Sequence, residues 1–193
     1  MNVTHGTGSG TPGGASPSHG VAMPGSAMRG AASATAFQRY MGVAAWVMVV
    51  VGPVWVGAGH SLLGGGGGWV ILFHVLRVLP IYVVLALVHA VLVTVRSRRV
   101  KEFAAGQIAS IVSFVFLLAT VAYPFFVADF GDASDSEIPA RVTAWFGMSG
   151  DASFQISIVL LAVMAVAIIA AIVADSVDLS RTSNGTPRYG TVR

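Results

Sequence analysis

Four stretches of this sequence stay apolar for the roughly 20 residues that a helix needs to cross the hydrocarbon of a bilayer, at about 1.5 Å per residue. The first, over 40–59, reads YMGVAAWVMVVVGPVWVGAG; the others cover 69–95, 103–127 and 154–177. Lipid offers backbone groups no hydrogen-bond partner, so runs of this length are predicted as helices, which satisfy their own N–H and C=O groups. Composition agrees: 55% of the 193 residues are apolar and 10% are charged, with a mean hydropathy of +0.78. A soluble domain carries about 25% charged residues to solvate its surface. The expected fold class is therefore all-α, an integral membrane protein with four transmembrane helices bundled within 37–178.

Orientation follows from the basic residues. Arg29, Arg39, Arg96, Arg98, Arg99, Lys101, Arg181, Arg188 and Arg193 fall on one side of that bundle, nine of the eleven Lys and Arg. The other side has Arg141 with Asp129, Asp132, Asp135, Glu137 and Asp151. Basic loops stay cytoplasmic, so both termini are expected there, in the plasma membrane of a bacterium whose Ala, Val, Gly and Arg usage fits a high-GC genome. The pI near 9.8 does not indicate nucleic acid, because the basic residues hug the ends of apolar runs and form no separate module. The expected partners are the lipid bilayer and other membrane subunits or further copies of the chain. With no cysteine, thiol catalysis, disulfides and thiolate-held metals are excluded.

Residues 1–36 are dominated by Gly, Ser, Thr, Ala and Pro, with Arg29 the only charged side chain. Such a segment buries too little apolar surface to offset chain entropy and is expected to be a disordered cytoplasmic tail. No basic start runs directly into an apolar core, so it does not read as a cleavable signal peptide. His5 and His19 stand isolated in it and make poor metal ligands. Residues 179–193 form a short basic cytoplasmic tail. The link 60–68 ends in five glycines, and 128–153 is acidic. Within the latter, IPARVTAWFGM reads either as a short surface helix, with Ile138, Val142, Trp145 and Phe146 against lipid, or as an irregular loop.

Helices associate in lipid through close backbone approach and polar contacts. Ala105, Ala109 and Ser113 recur every four residues beside Gly106 and Ser110, and the fourth span offers Ala167 with Ala171 and Ala170 with Ala174. A small-residue seam between the third and fourth spans is expected. Pro53 is expected to bend the first.

The second span carries His74, Arg77 and His89. At about 100° per residue they fall, with Arg96, on one face, a candidate ligand-binding face. Polar groups within the bilayer are costly and usually face protein, so this face is expected to look inward. No carboxylate is expected in the interior of a span. Arg77 is expected to pair with Asp129, just past the third span, or with a lipid phosphate, and the histidines to bond to Ser110, Ser113, Thr120 or a carbonyl. Membrane b-type haem needs two axial ligands at matching depth; His60 and His74 are the candidate pair, with Arg77 near a propionate, whereas His89 finds only Met48 at its depth. The acidic loop lacks the spacing of a calcium loop. The glycine run lacks the Lys-Ser/Thr of a phosphate cradle, and no nucleophile elbow or HExxH is present.

The expected function is non-catalytic: an accessory, scaffold or assembly subunit of a larger membrane complex, without a cofactor. The alternatives are a redox subunit binding haem b or a quinone, and a small oligomeric transporter using Arg77.

Overall fold

The computed structural model describes residues 34–63, 69–130, 137–138 and 141–184. Thr35 opens the first helix. Its hydroxyl accepts from the Gln38 N–H (3.3 Å) while Gln38 Oε1 accepts from the Thr35 N–H (2.8 Å), a reciprocal cap on two otherwise orphaned donors. Helix α1 then runs Ala36–Leu62 through Pro53. Helix α2 (Trp69–Phe73), a π-helical turn (His74–Val78) and α3 (Leu79–Val100) follow one another without a break. Then come α4 (Gln107–Phe126), the two-residue antiparallel strands β1 (Asp129–Phe130) and β2 (Glu137–Ile138), α5 (Arg141–Trp145) and α6 (Gly150–Asn184).

The helical architecture is as expected, with four helices among the described residues long and apolar enough to cross a membrane: Ala36–Leu62, Ile71–Val100, Gln107–Phe126 and Gly150–Thr182. Their ends differ from the apolar runs. Residues 103–106, expected to be helical, form a link held by hydrogen bonds: Arg96 Nη1 donates to Ala104 O (2.7 Å), Ala104 N–H to Ser97 Oγ (3.3 Å), and Ala105 N–H to Gln38 O (3.0 Å). At the other extreme, α6 continues through polar sequence well beyond Val177. Its serines bond back to carbonyls one turn earlier, Ser176 to Ile172 (2.7 Å) and Ser180 to Ser176 (3.0 Å), so they add no unsatisfied group to the helix. Residues 1–33 of the expected disordered tail, the glycine run 64–68, the acidic stretch 131–136 and residues 185–193 lie outside the described residues, whereas Thr35 and Ala36, expected within that tail, cap and open α1.

α3 is capped by Lys101 in the left-handed region, at φ 57°. A side chain is strained there and glycine is not. Lys101→Gly should therefore stabilise the fold by about 0.5–1 kcal/mol, read as a raised midpoint on denaturant titration in micelles.

Packing centres on α4 and α6, which share the most extensive interface. The expected small-residue seam is there in part: Ala109, Ser110 and Ser113 of α4 and Ala167 and Ala171 of α6 are buried, whereas Ala105 and Gly106 lie in the link before α4 and half-buried Ala170 belongs to the other face of α6. Tyr82 stacks on Phe116 at 5.5 Å within a core that includes Met48, Val56, Met164 and Ile168. Where α5 was expected as either a surface helix or a loop, a single turn forms. Thr143 is buried in it, while Trp145 and Phe146 are 74% and 77% exposed. Ser153 donates to Phe126 O (2.8 Å), so Thr143 is the donor to Ser153 Oγ (3.0 Å), and the pair ties the end of α4 to the start of α6.

Candidate functional site

The inner face of α6 presents Leu161, Met164, Ile168, Ala171, Asp175 and Asp178, alternately three and four residues apart, the spacing of a helix seam. Asp175 is 0% exposed, and its Oδ2 lies 3.1 Å from Nδ1 of His89 on α3, itself 2% exposed. His89 Nε2 in turn lies 2.9 Å from Ser113 Oγ on α4. Three helices thus meet at one buried polar chain. The expectation that no carboxylate lies inside a span fails at Asp175. The apolar run ends soon after it, but the helix does not, so the carboxylate is packed among neighbours rather than released to solvent.

Proton placement in this chain is restricted by its neighbours. A serine hydroxyl can donate to Nε2, which leaves Nδ1–H facing the carboxylate, the tautomer that serves both contacts. The fit to Asp175 is one of proximity rather than alignment, since neither carboxylate oxygen completes a hydrogen bond with good geometry among the described residues. Nucleophile, base and carboxylate stand in the order of a serine hydrolase. A hydrolase also needs space for a scissile bond beside the serine, and the hollow that touches both His89 and Ser113 measures about 10 Å³, room for no more than about one water.

The single inward face expected for His74, Arg77 and His89 is divided. His74 and His89 are buried and Arg77 is exposed. The cause is the π-helical turn that contains both His74 and Arg77. Its i→i+5 bonding places more residues in the turn than an α-helix does, so three residues carry Arg77 further from His74 around the axis. His74 Nε2 meets the Tyr123 hydroxyl at 2.6 Å. Arg77 makes no hydrogen bond or ion pair among the described residues. The Asp129 side chain expected to answer it lies outside what is described. Arg77 instead edges an apolar hollow of about 280 Å³ between α3 and α6, floored by Tyr82 and Phe116.

Of the candidate haem ligands, His60 is buried near the end of α1. His74 already holds Tyr123, so iron at its Nε2 would displace a 2.6 Å hydrogen bond. No group of three or more His, Asp or Glu suited to a metal ion occurs among the described residues. At the opposite end from α5, Arg96 Nε lies 3.6 Å from Asp178 Oδ2, Arg39 reaches Glu102 at 3.4 Å, and the Asp178 carboxylate packs against Gly106 at the start of α4. A carboxylate at a helix N-terminus is favoured by the helix dipole.

Sequence reasoning named Ser113 among the partners for the histidines and missed Asp175, Asp178 and Tyr123. The three-and-four spacing of Asp175 and Asp178 from Ile168 and Ala171 was the available signal for the two carboxylates. Against known proteins the chain stands by itself: no family model, curated protein or solved structure matches it.

Proposed function

We propose that the chain is a non-catalytic multi-pass protein of the bacterial plasma membrane, with both termini cytoplasmic, serving as an accessory, scaffold or assembly subunit of a larger membrane complex. The observation that carries this reading is the outer face of α6. Val159, Val163, Val166, Ala170, Val173 and Val177 recur three and four residues apart, and every valine among them is exposed. This seam is set opposite the one that packs inside. It runs about 27 Å, nearly the full hydrocarbon thickness. β-Branched valines lose little side-chain freedom on packing. The three-and-four spacing is that of left-handed helix pairs, in membranes as in water. At the basic end of the seam the surface of α6 becomes polar, with Ser176, Ser180 and Arg181 beside Val173 and Val177.

Two further features support the reading. The buried Ser113–His89–Asp175 chain joins three helices and leaves a substrate no room, which suits a role in holding the bundle together. The clustering of Arg39, Arg96 and Arg99 contacts at one end supports that end as cytoplasmic.

The absence of native cysteine makes crosslinking a clean test. Val166→Cys and Val173→Cys are expected to crosslink in native membranes to one protein of defined size, and Ile111→Cys, exposed on α4, is not. Val166→Trp is expected to lower recovery of that partner at least tenfold while the chain itself remains folded. An adduct of twice 19.9 kDa, or equal crosslinking from α4 and α6, would contradict the accessory role.

A further inference from the structure

The exposed Arg77 and the hollow it borders have a geometry of their own. Arg96 marks the basic end of α3. From there the roughly 30 Å of hydrocarbon is used up in about 20 residues, which brings the opposite boundary to Leu76. Arg77 therefore lies at the depth where the phosphates of that leaflet begin. From this level the hollow runs inward between α3 and α6. Its lining extends from Phe73 to Leu85 on one side and from Leu161 to Ile168 on the other. Phe73 to Leu85 spans about 18 Å of helix, close to the roughly 15 Å depth of one leaflet.

The chemistry of the lining is equally directional. Apart from Arg77 and the Tyr82 hydroxyl, every lining side chain is apolar, and none is a carboxylate. A second hollow of about 210 Å³ adjoins, sharing Phe73 and Leu161, and it brings the His74–Tyr123 pair to the same end as Arg77. Polar groups thus gather at the mouth, and a trough apolar but for Tyr82 continues inward. The π-helical turn produces the arrangement, since it rotates Arg77 away from buried His74 and onto the trough. Such turns recur at functional positions.

We propose that Arg77 and this trough bind one anionic phospholipid, its phosphate on the guanidinium and one acyl chain along Ile81, Leu85, Leu161 and Ala165. Guanidinium and phosphate form paired, parallel N–H···O bonds that an ammonium cannot match. Arg77 has no competing carboxylate among the lining residues. A zwitterionic lipid would bring a cation for which that lining offers no anion. The site depends on membrane insertion and is independent of the accessory role.

The test uses the purified full chain in mild detergent, offered phosphatidylglycerol, phosphatidylcholine of the same chains, and inorganic phosphate, with retained lipid counted by native mass spectrometry. One phosphatidylglycerol should be retained at least tenfold more strongly than phosphatidylcholine. Arg77→Ala should lower that retention at least tenfold, and Arg77→Lys should recover part of it. Ala165→Phe, which fills the exposed trough without touching charge, should lower it likewise, and thermal unfolding checks that each variant is folded. Should a variant fail to fold, a photoactivatable phosphatidylglycerol on the unaltered chain should label segment 161–168. Equal retention of both lipids, displacement by inorganic phosphate alone, or labelling spread over all four long helices overturns the proposal. So does a protein subunit that Ala165→Phe releases while no lipid is held, which would assign the trough to a transmembrane partner.

Discussion

His89→Leu is expected to destabilise the bundle by about 3–5 kcal/mol, the usual consequence of leaving a buried carboxylate without its partner. Asp175, 0% exposed, would keep its carboxylate in an apolar surrounding with no imidazole beside it. The reverse substitution is milder. Asp175→Ala leaves a histidine that can remain neutral and keep its 2.9 Å contact with Ser113, so a loss of about 1–3 kcal/mol is expected, the range for one unsatisfied buried polar group. Removing both partners should be less harmful than the sum, with a coupling energy of about 1–3 kcal/mol. Reversible unfolding in mixed micelles measures all three variants. Additive losses, or an Asp175→Ala variant weaker than His89→Leu, would show that the two side chains do not act as a pair.

Gly52→Ala is the second large effect, and its sign is unusual. In an ordinary helix interior this change stabilises by about 1 kcal/mol, because alanine restricts the unfolded chain. At Gly52 a methyl group would overlap the Tyr82 ring, with Cζ at 2.8 Å and Cε1 at 2.9 Å. The ring cannot retreat, since it is stacked on Phe116 and 5% exposed. Overpacking of this kind costs about 1–3 kcal/mol, so the intrinsic gain is expected to become a net loss. Tyr82→Phe removes the hydroxyl nearest the new methyl and should recover part of it. A Gly52→Ala variant as stable as the unaltered chain would mean that α1 and α3 do not approach this closely.

How far the sequence anticipates these features depends on the range of the physics behind each. Apolar runs of about 20 residues have one stable solution in lipid, so the number of long helices and the small-residue seam between α4 and α6 are legible. The histidine–serine contact is legible as well, because a polar group on a packed face must find a partner nearby. Helix ends are not, since Asp178, Ser180 and Thr182 are polar yet remain helical once α6 is nucleated. Asp175 was hidden for the same reason: a carboxylate near the end of an apolar run looks solvated until the helix is seen to continue past it. Arg77 was misplaced by a single turn. A wheel drawn at a constant angle cannot anticipate the π-helical turn at His74–Val78, and that turn alone decides that Arg77 faces the trough and His74 the core.

The account as a whole rests on four crossings with the arginine-rich end inside the cell. The most direct measurement is labelling of single cysteines in intact cells by a membrane-impermeant maleimide, on the naturally cysteine-free chain. Trp145→Cys, 74% exposed beside α6, should be labelled, while Thr35→Cys, Arg98→Cys and Thr182→Cys should react only after the membrane is permeabilised. Labelling of Arg98→Cys in intact cells, or protection of Trp145→Cys there, would contradict it.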